Sequence, residues 1–214
     1  FSSPNSGPNV TIETNFFLTE KPSDGLRLFV QGGSTAAGFP YGYGASLAGL
    51  LDYRLKQSFV SREVEVVNTA LSAVNSYTLL DFADEIIEQK PDAVLIYAGH
   101  NEFLGIMGVG STYSEFSSRP ANLLFLKFKD LRLFQLLQSG ISELQSWFIS
   151  TEAQALAKKG AMQSQTVMAK VAKHKNIDVE HPLFAAGLAQ FEGNMTLLIN
   201  KYREHGIPVF ISTI

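Results

Sequence analysis

Leu26-Arg27-Leu28-Phe29-Val30-Gln31-Gly32-Gly33-Ser34 is the stretch on which the fold turns. Its first six residues are a short, mostly apolar run with β-branched and aromatic members, which reads as a buried strand, and the two glycines that close it permit a tight turn. A helix is expected next. Leu47, Leu50, Leu51 and Leu55 fall on one face and predict an amphipathic helix over 44–59. Residues 63–68 (EVEVVN) are a second strand candidate, and Leu79, Ala83, Ile86 and Ile87 repeat the helical spacing up to Gln89, before Pro91 breaks it. Residues 93–98 (AVLIYA) form the third and most apolar strand, as expected for the middle of a parallel sheet covered on both faces. Further on, Phe184, Leu188, Phe191, Met195, Leu198 and Tyr202 step by four and three. They predict a long helix over 183–205, leading through Gly206 into a fourth strand over 207–214. Strands alternating with helices imply right-handed crossovers and an α/β fold: a three-layer, doubly wound parallel sheet with a helical insertion after the third strand.

A chain of 214 residues, 45% hydrophobic and 17% charged, is long and apolar enough for one sizeable core. Its net charge of -3 offers no long-range attraction to nucleic acid or an anionic lipid surface, so a nucleic-acid partner is not expected. Without cysteine there is no disulfide, thiolate nucleophile or cysteine zinc site. The sequence begins at Phe1 and stops inside the apolar run 211–214, which reads as a piece of a longer protein with further domains. Residues 1–25, opening on FSSPNSGPN, read as a flexible lead-in to a domain over 26–214.

The segment 103–180 is too long for a simple connection and reads as an inserted helical cap. Within it 121–148 is strongly apolar, but Lys127, Lys129, Asp130 and Arg132 leave it short of the roughly 18 uncharged residues of a spanning helix. Extra core packing, or contact with a membrane or protein partner, are the alternatives.

In an open α/β sheet, ligands bind where the strands end, so the loops after the first three strands matter most. After the first, Ser34 stands at the mouth of the sheet, either as a nucleophile near free helix N–H groups or as a helix N-cap. After the third comes Gly99-His100-Asn101-Glu102, where the Asn101 amide is a hydrogen-bond donor toward Ser34 or a loop cap. After the second, the turn Asn68-Thr69-Ala70-Leu71-Ser72-Ala73 offers a further backbone donor. No phosphate-loop pattern and no metal-binding spacing such as H-E-x-x-H is present, so neither a cofactor nor a metal is expected.

These loops resemble the blocks of the SGNH (GDSL-like) hydrolases. Gly32, Ser34 and Gly38 match the first block, with Gly33 where the family often has Asp; Asn68 and Ser72 match the second, with Ala73 in place of Gly. Gly99, Asn101 and Glu102 match the third, with Glu for the usual Asp. The resemblance implies the flavodoxin-like fold of that family and a serine esterase acting on an acetyl or short acyl ester. Ser34 would be the nucleophile, with the Ser34 and Ala73 N–H groups and the Asn101 amide as oxyanion donors. It also implies small-molecule or carbohydrate ester substrates and a bacterial envelope location. A non-catalytic binding or scaffold domain, or an acyltransferase to a sugar hydroxyl, are the alternatives. The family's late D-x-x-H block is matched in letters by Asp178-Val179-Glu180-His181-Pro182, but ahead of the fourth strand, where Pro182 also suits the first turn of a helix. The base is therefore either His181, oriented by Asp178, or a His beyond Ile214. His100 is close enough to Ser34 to influence the pocket but reads more readily as structural, while His174 and His205 read as solvated.

Overall fold

The computed structural model describes residues 16–99, 101–111, 118–129, 131–132 and 177–212. The chain divides into two compact units, 1–114 with 167–214, and 115–166. Among its described residues the larger unit carries four strands in the order β2-β1-β3-β4, all parallel: β1 (Leu26–Gly32), β2 (Val64–Asn68), β3 (Ala93–Tyr97) and β4 (Val209–Ile211). Central β1 is held in register on both sides, with Val30 opposite Asn68 of β2 and Leu95 of β3.

Alternation along the strands gives the sheet two apolar faces. Val30, Val64 and Val66 pack with Ala48, Leu51 and Leu55 from α2 (Leu47–Ser58), which follows α1 (Ser34–Ala37) and a 3-10 turn at Tyr43–Ala45. Phe29, Val67, Val94 and Ile96 face the other way, against α3 (Ser76–Asp81), α4 (Ala83–Glu88) and the 23-residue helix Pro182–Glu204, called α6 below. Each fully buried side chain of that core, such as Leu198 or Ile96, contributes roughly 1.5–3 kcal/mol. The result is helix, parallel sheet, helix.

The helices differ from the apolar periodicity at their ends. The helix expected over 44–59 starts at Leu47, because the Ser46 side chain caps it by accepting the Gly49 N–H at 3.0 Å and the residues before it take the tighter 3-10 turn. The helix expected over 79–89 starts three residues early, at Ser76, where the Asn75 side chain accepts the Tyr77 N–H; it is divided at Phe82. Residues 16–25 include chain that is tied down: the Phe17 ring packs edge-on to Phe29, and Arg27 and Glu65 hold Leu18 by its carbonyl and its N–H. Arg27 is 1% exposed in mid-strand, and its 2.7 Å ion pair with Glu65 supplies the partner a buried charge requires.

In the smaller unit α5 (Arg119–Phe128) is described, with Pro120 in its first turn. The rest of the segment 121–148 lies outside the described residues.

Candidate active site

Strand order fixes where a site can form. From β1 the chain leaves to α2 on one face, and from β3 it leaves toward the opposite face, so the loops after these adjacent strands part and open a crevice. Gly32 ends β1 wedged between the Tyr97 carbonyl and the Ala36 side chain, where a Cβ has no room. Gly33 is the residue before α1, and Ser34 is the first residue of that helix rather than its cap. At this position the Ser34 N–H is among those left without a partner by helix geometry.

On the other side, Gly99 at φ 138° turns the chain out of β3 in a conformation open chiefly to glycine. Asn101 then reaches back across the crevice, and its Nδ2 lies 2.9 Å from where a Cβ on Gly33 would stand. A side chain on Gly33 would therefore press on the end of the Asn101 amide. Gly33, Ser34, Thr35, Val74, Ala98, Gly99 and Asn101 line one small pocket. Two of the three residues singled out in the sequence, Ser34 and Asn101, therefore meet in it.

Ala73 does not line this pocket, although its neighbour Val74 does. It is 3% exposed at φ 61°, a left-handed conformation that costs a residue with a Cβ roughly 1–2 kcal/mol. The turn is held from outside, by the Ile106 N–H donating to the Ala73 carbonyl at 2.7 Å and the Leu71 N–H donating to Gly32 at 3.1 Å. Neither the Ser34 nor the Ala73 N–H is a donor in the hydrogen bonds of the described residues.

Next in the chain to Asn101, Glu102 is 3% exposed and accepts from the Ser76 N–H and hydroxyl and from Gln190 Nε2. Burial pushes its carboxyl above the ordinary range, against the opposing effect of those hydrogen bonds. The sequence reading matched Glu102 to the third block but missed Ser76, Gln190 and Asn194; two polar residues one turn apart on the inward face of α6 were the available signal.

The pattern Asp178 to His181 is built as a helix start. His181 is exposed and caps α6, its Nδ1 accepting the Leu183 N–H at 3.1 Å, while the Asp178 carboxylate accepts from the Glu180 N–H. In this arrangement Nδ1 serves the helix as an acceptor, and the Asp178 carboxylate is engaged by a backbone N–H rather than by the ring. His205 closes α6 just before β4, at the end of the sheet opposite the pocket. His100 and His174 lie outside the described residues. Among the described residues no cluster of acidic, His or Cys side chains forms a metal site, and no helix is long and apolar enough to cross a membrane.

No family model matches the sequence, and no curated protein matches it. Solved structures do. The chain is similar in structure to an SGNH-hydrolase family esterase. That protein, AlinE4, is 18% identical over 39% of this chain and 45% of its own length, with a TM-score of 0.33. The acetyl xylan esterase AlAXEase is 14% identical over 87% of this chain and 77% of its own, with a TM-score of 0.38. TesA is 20% identical over 82% of this chain and 99% of its own, with a TM-score of 0.34.

Proposed function

We propose that the chain is an ester hydrolase domain whose nucleophile is Ser34. The observation that carries this reading is the meeting of the Ser34 turn and the Asn101 amide in one pocket at the switch point of the sheet. The Ser34 hydroxyl adds to the ester carbonyl, the alcohol leaves with the hydroxyl proton, and water releases the acid from acyl-Ser34. A sugar hydroxyl in place of that water makes the same site an acyltransferase. Negative charge on the tetrahedral oxygen is met by the Asn101 amide and the Ser34 N–H, with the N–H of Ala73, next to the pocket-lining Val74, as the further donor; neither N–H donates elsewhere among the described residues.

Hydrolysis of p-nitrophenyl acetate by the protein, Ser34→Ala and Asn101→Ala tests the reading. Loss of turnover in the first variant, and a fall of about a hundredfold or more in kcat in the second, is expected. Turnover that survives Ser34→Ala refutes it. A second reading, a binding domain that keeps the pocket without the chemistry, is favoured by the engagement of His181 as a cap. Saturable binding of acetylated sugars with no turnover would select it.

A further inference from the structure

Glu102 and Ser76 take no part in the chemistry above, yet they are 3% and 1% exposed and stand one residue after Asn101 and two after Val74, which line the pocket. The Ser76 hydroxyl donates to Glu102 Oε1 at 2.8 Å and its N–H to Oε2 at 3.0 Å. From α6, Gln190 Nε2 donates to the same Oε1 at 2.7 Å, and Asn194 Nδ2 donates to the Ser76 hydroxyl at 2.9 Å. Gln190 and Asn194 are four residues apart and so share one helix face.

The carboxylate thus ties its own segment to two others that are distant in the chain. Glu102 follows Asn101 directly, and Ser76 stands three residues after Ala73, so the two turns that offer oxyanion donors are fastened to each other and to α6. A second strut runs alongside: the Gly105 N–H donates to the Asn101 carbonyl at 2.6 Å and the Ile106 N–H to the Ala73 carbonyl at 2.7 Å. From this geometry we infer that Glu102 is the positioning residue of the oxyanion site, setting the Asn101 amide against the Ala73 turn through Ser76, Gln190 and Asn194. Its catalytic consequence rests on the esterase reading; its structural consequence does not.

Glu102→Gln tests it with the shape preserved. An amide in place of the carboxylate turns an N–H group toward the Ser76 N–H or toward the Gln190 amide, so one contact is lost whichever way it lies. In nitrogen-edited NMR spectra of the protein, the Asn101 side-chain amide and the Ala73 N–H should shift while the amides of β1 and β3 stay in place. In the ester assay kcat should fall about tenfold with KM within about twofold, and the substitution should have a clearly smaller effect on kcat in an Asn101→Ala background. Independent, multiplicative losses in that double variant, or unmoved Asn101 and Ala73 signals, overturn the inference. Should Glu102→Gln not fold, Ser76→Ala carries the same readouts with smaller shifts. Activity that is absent, or that survives Ser34→Ala, refutes the esterase reading alone, and the NMR signals then decide the positioning role.

Discussion

Gly33→Ala separates the geometry of the oxyanion site from the stability of the fold. Gly33 has φ -88° and ψ -164°, an extended conformation that alanine adopts without strain. The new methyl would stand 2.9 Å from Asn101 Nδ2, about 0.5 Å inside ordinary contact, and 3.8 Å from its Cγ, so the amide nitrogen is what must move. Losing one oxyanion donor outright costs about 2.7–4 kcal/mol in the transition state. A shift of about half an ångström forfeits part of that, on the order of 1.4 kcal/mol, or tenfold in kcat. Stability should not fall, since replacing glycine at a compatible position stabilises by about 0.4–1 kcal/mol through the unfolded chain. The expected result in p-nitrophenyl acetate kinetics paired with thermal melts is therefore a kcat lower by about tenfold and a Tm unchanged or slightly raised. An unchanged kcat in Gly33→Ala, alongside a large loss in Asn101→Ala, refutes the placement of the amide against Gly33; a Tm that drops with the activity refutes the separation.

His181→Ala removes a helix cap at an exposed site and should cost about 0.5–1 kcal/mol in denaturant unfolding while leaving ester turnover unchanged. A dead but folded variant would make His181 the base after all. Tyr202→Phe takes away the hydroxyl that donates to Gln31 Oε1 at 2.9 Å inside the core and should cost about 1–3 kcal/mol, read in the same unfolding experiment. A neutral result would mean that the Gln31 oxygen finds another donor. Because burial holds the Glu102 carboxyl above its ordinary 4.5, the folded chain takes up that proton more readily than the unfolded one. Its contribution is full below 4.5 and is lost as pH rises through the raised value, so the wild type should gain Tm relative to Glu102→Gln as pH is lowered from 7 toward 4.5. A difference that is flat with pH, or that runs the other way, contradicts this.

Sequence alone determined the elements whose signal is local. The strands at Leu26–Gly32, Val64–Asn68 and Ala93–Tyr97 stand out because runs of apolar, β-branched residues are bounded by turn residues, and Ser34 is marked by the glycines before it. The start of α3 was not read, because periodicity responds to the apolar face and begins to register only at Leu79, whereas the structure starts the helix at Ser76 behind the Asn75 cap. Arg27 shows the limit: a charge inside an apolar run gives no hint that Glu65, 38 residues away, neutralises it.

Tertiary structure alone decided what stands next to what. The order β2-β1-β3-β4 opens the crevice between the loops of β1 and β3, and it puts the Asn101 amide where a side chain on Gly33 would be. The contacts that fix Glu102 join residues 26 and 88 positions apart, and Asn194 reaches Ser76 across 118. Contacts at such separations form only when the sheet and its helices pack, because apolar burial brings the segments together. No spacing within a single segment encodes them.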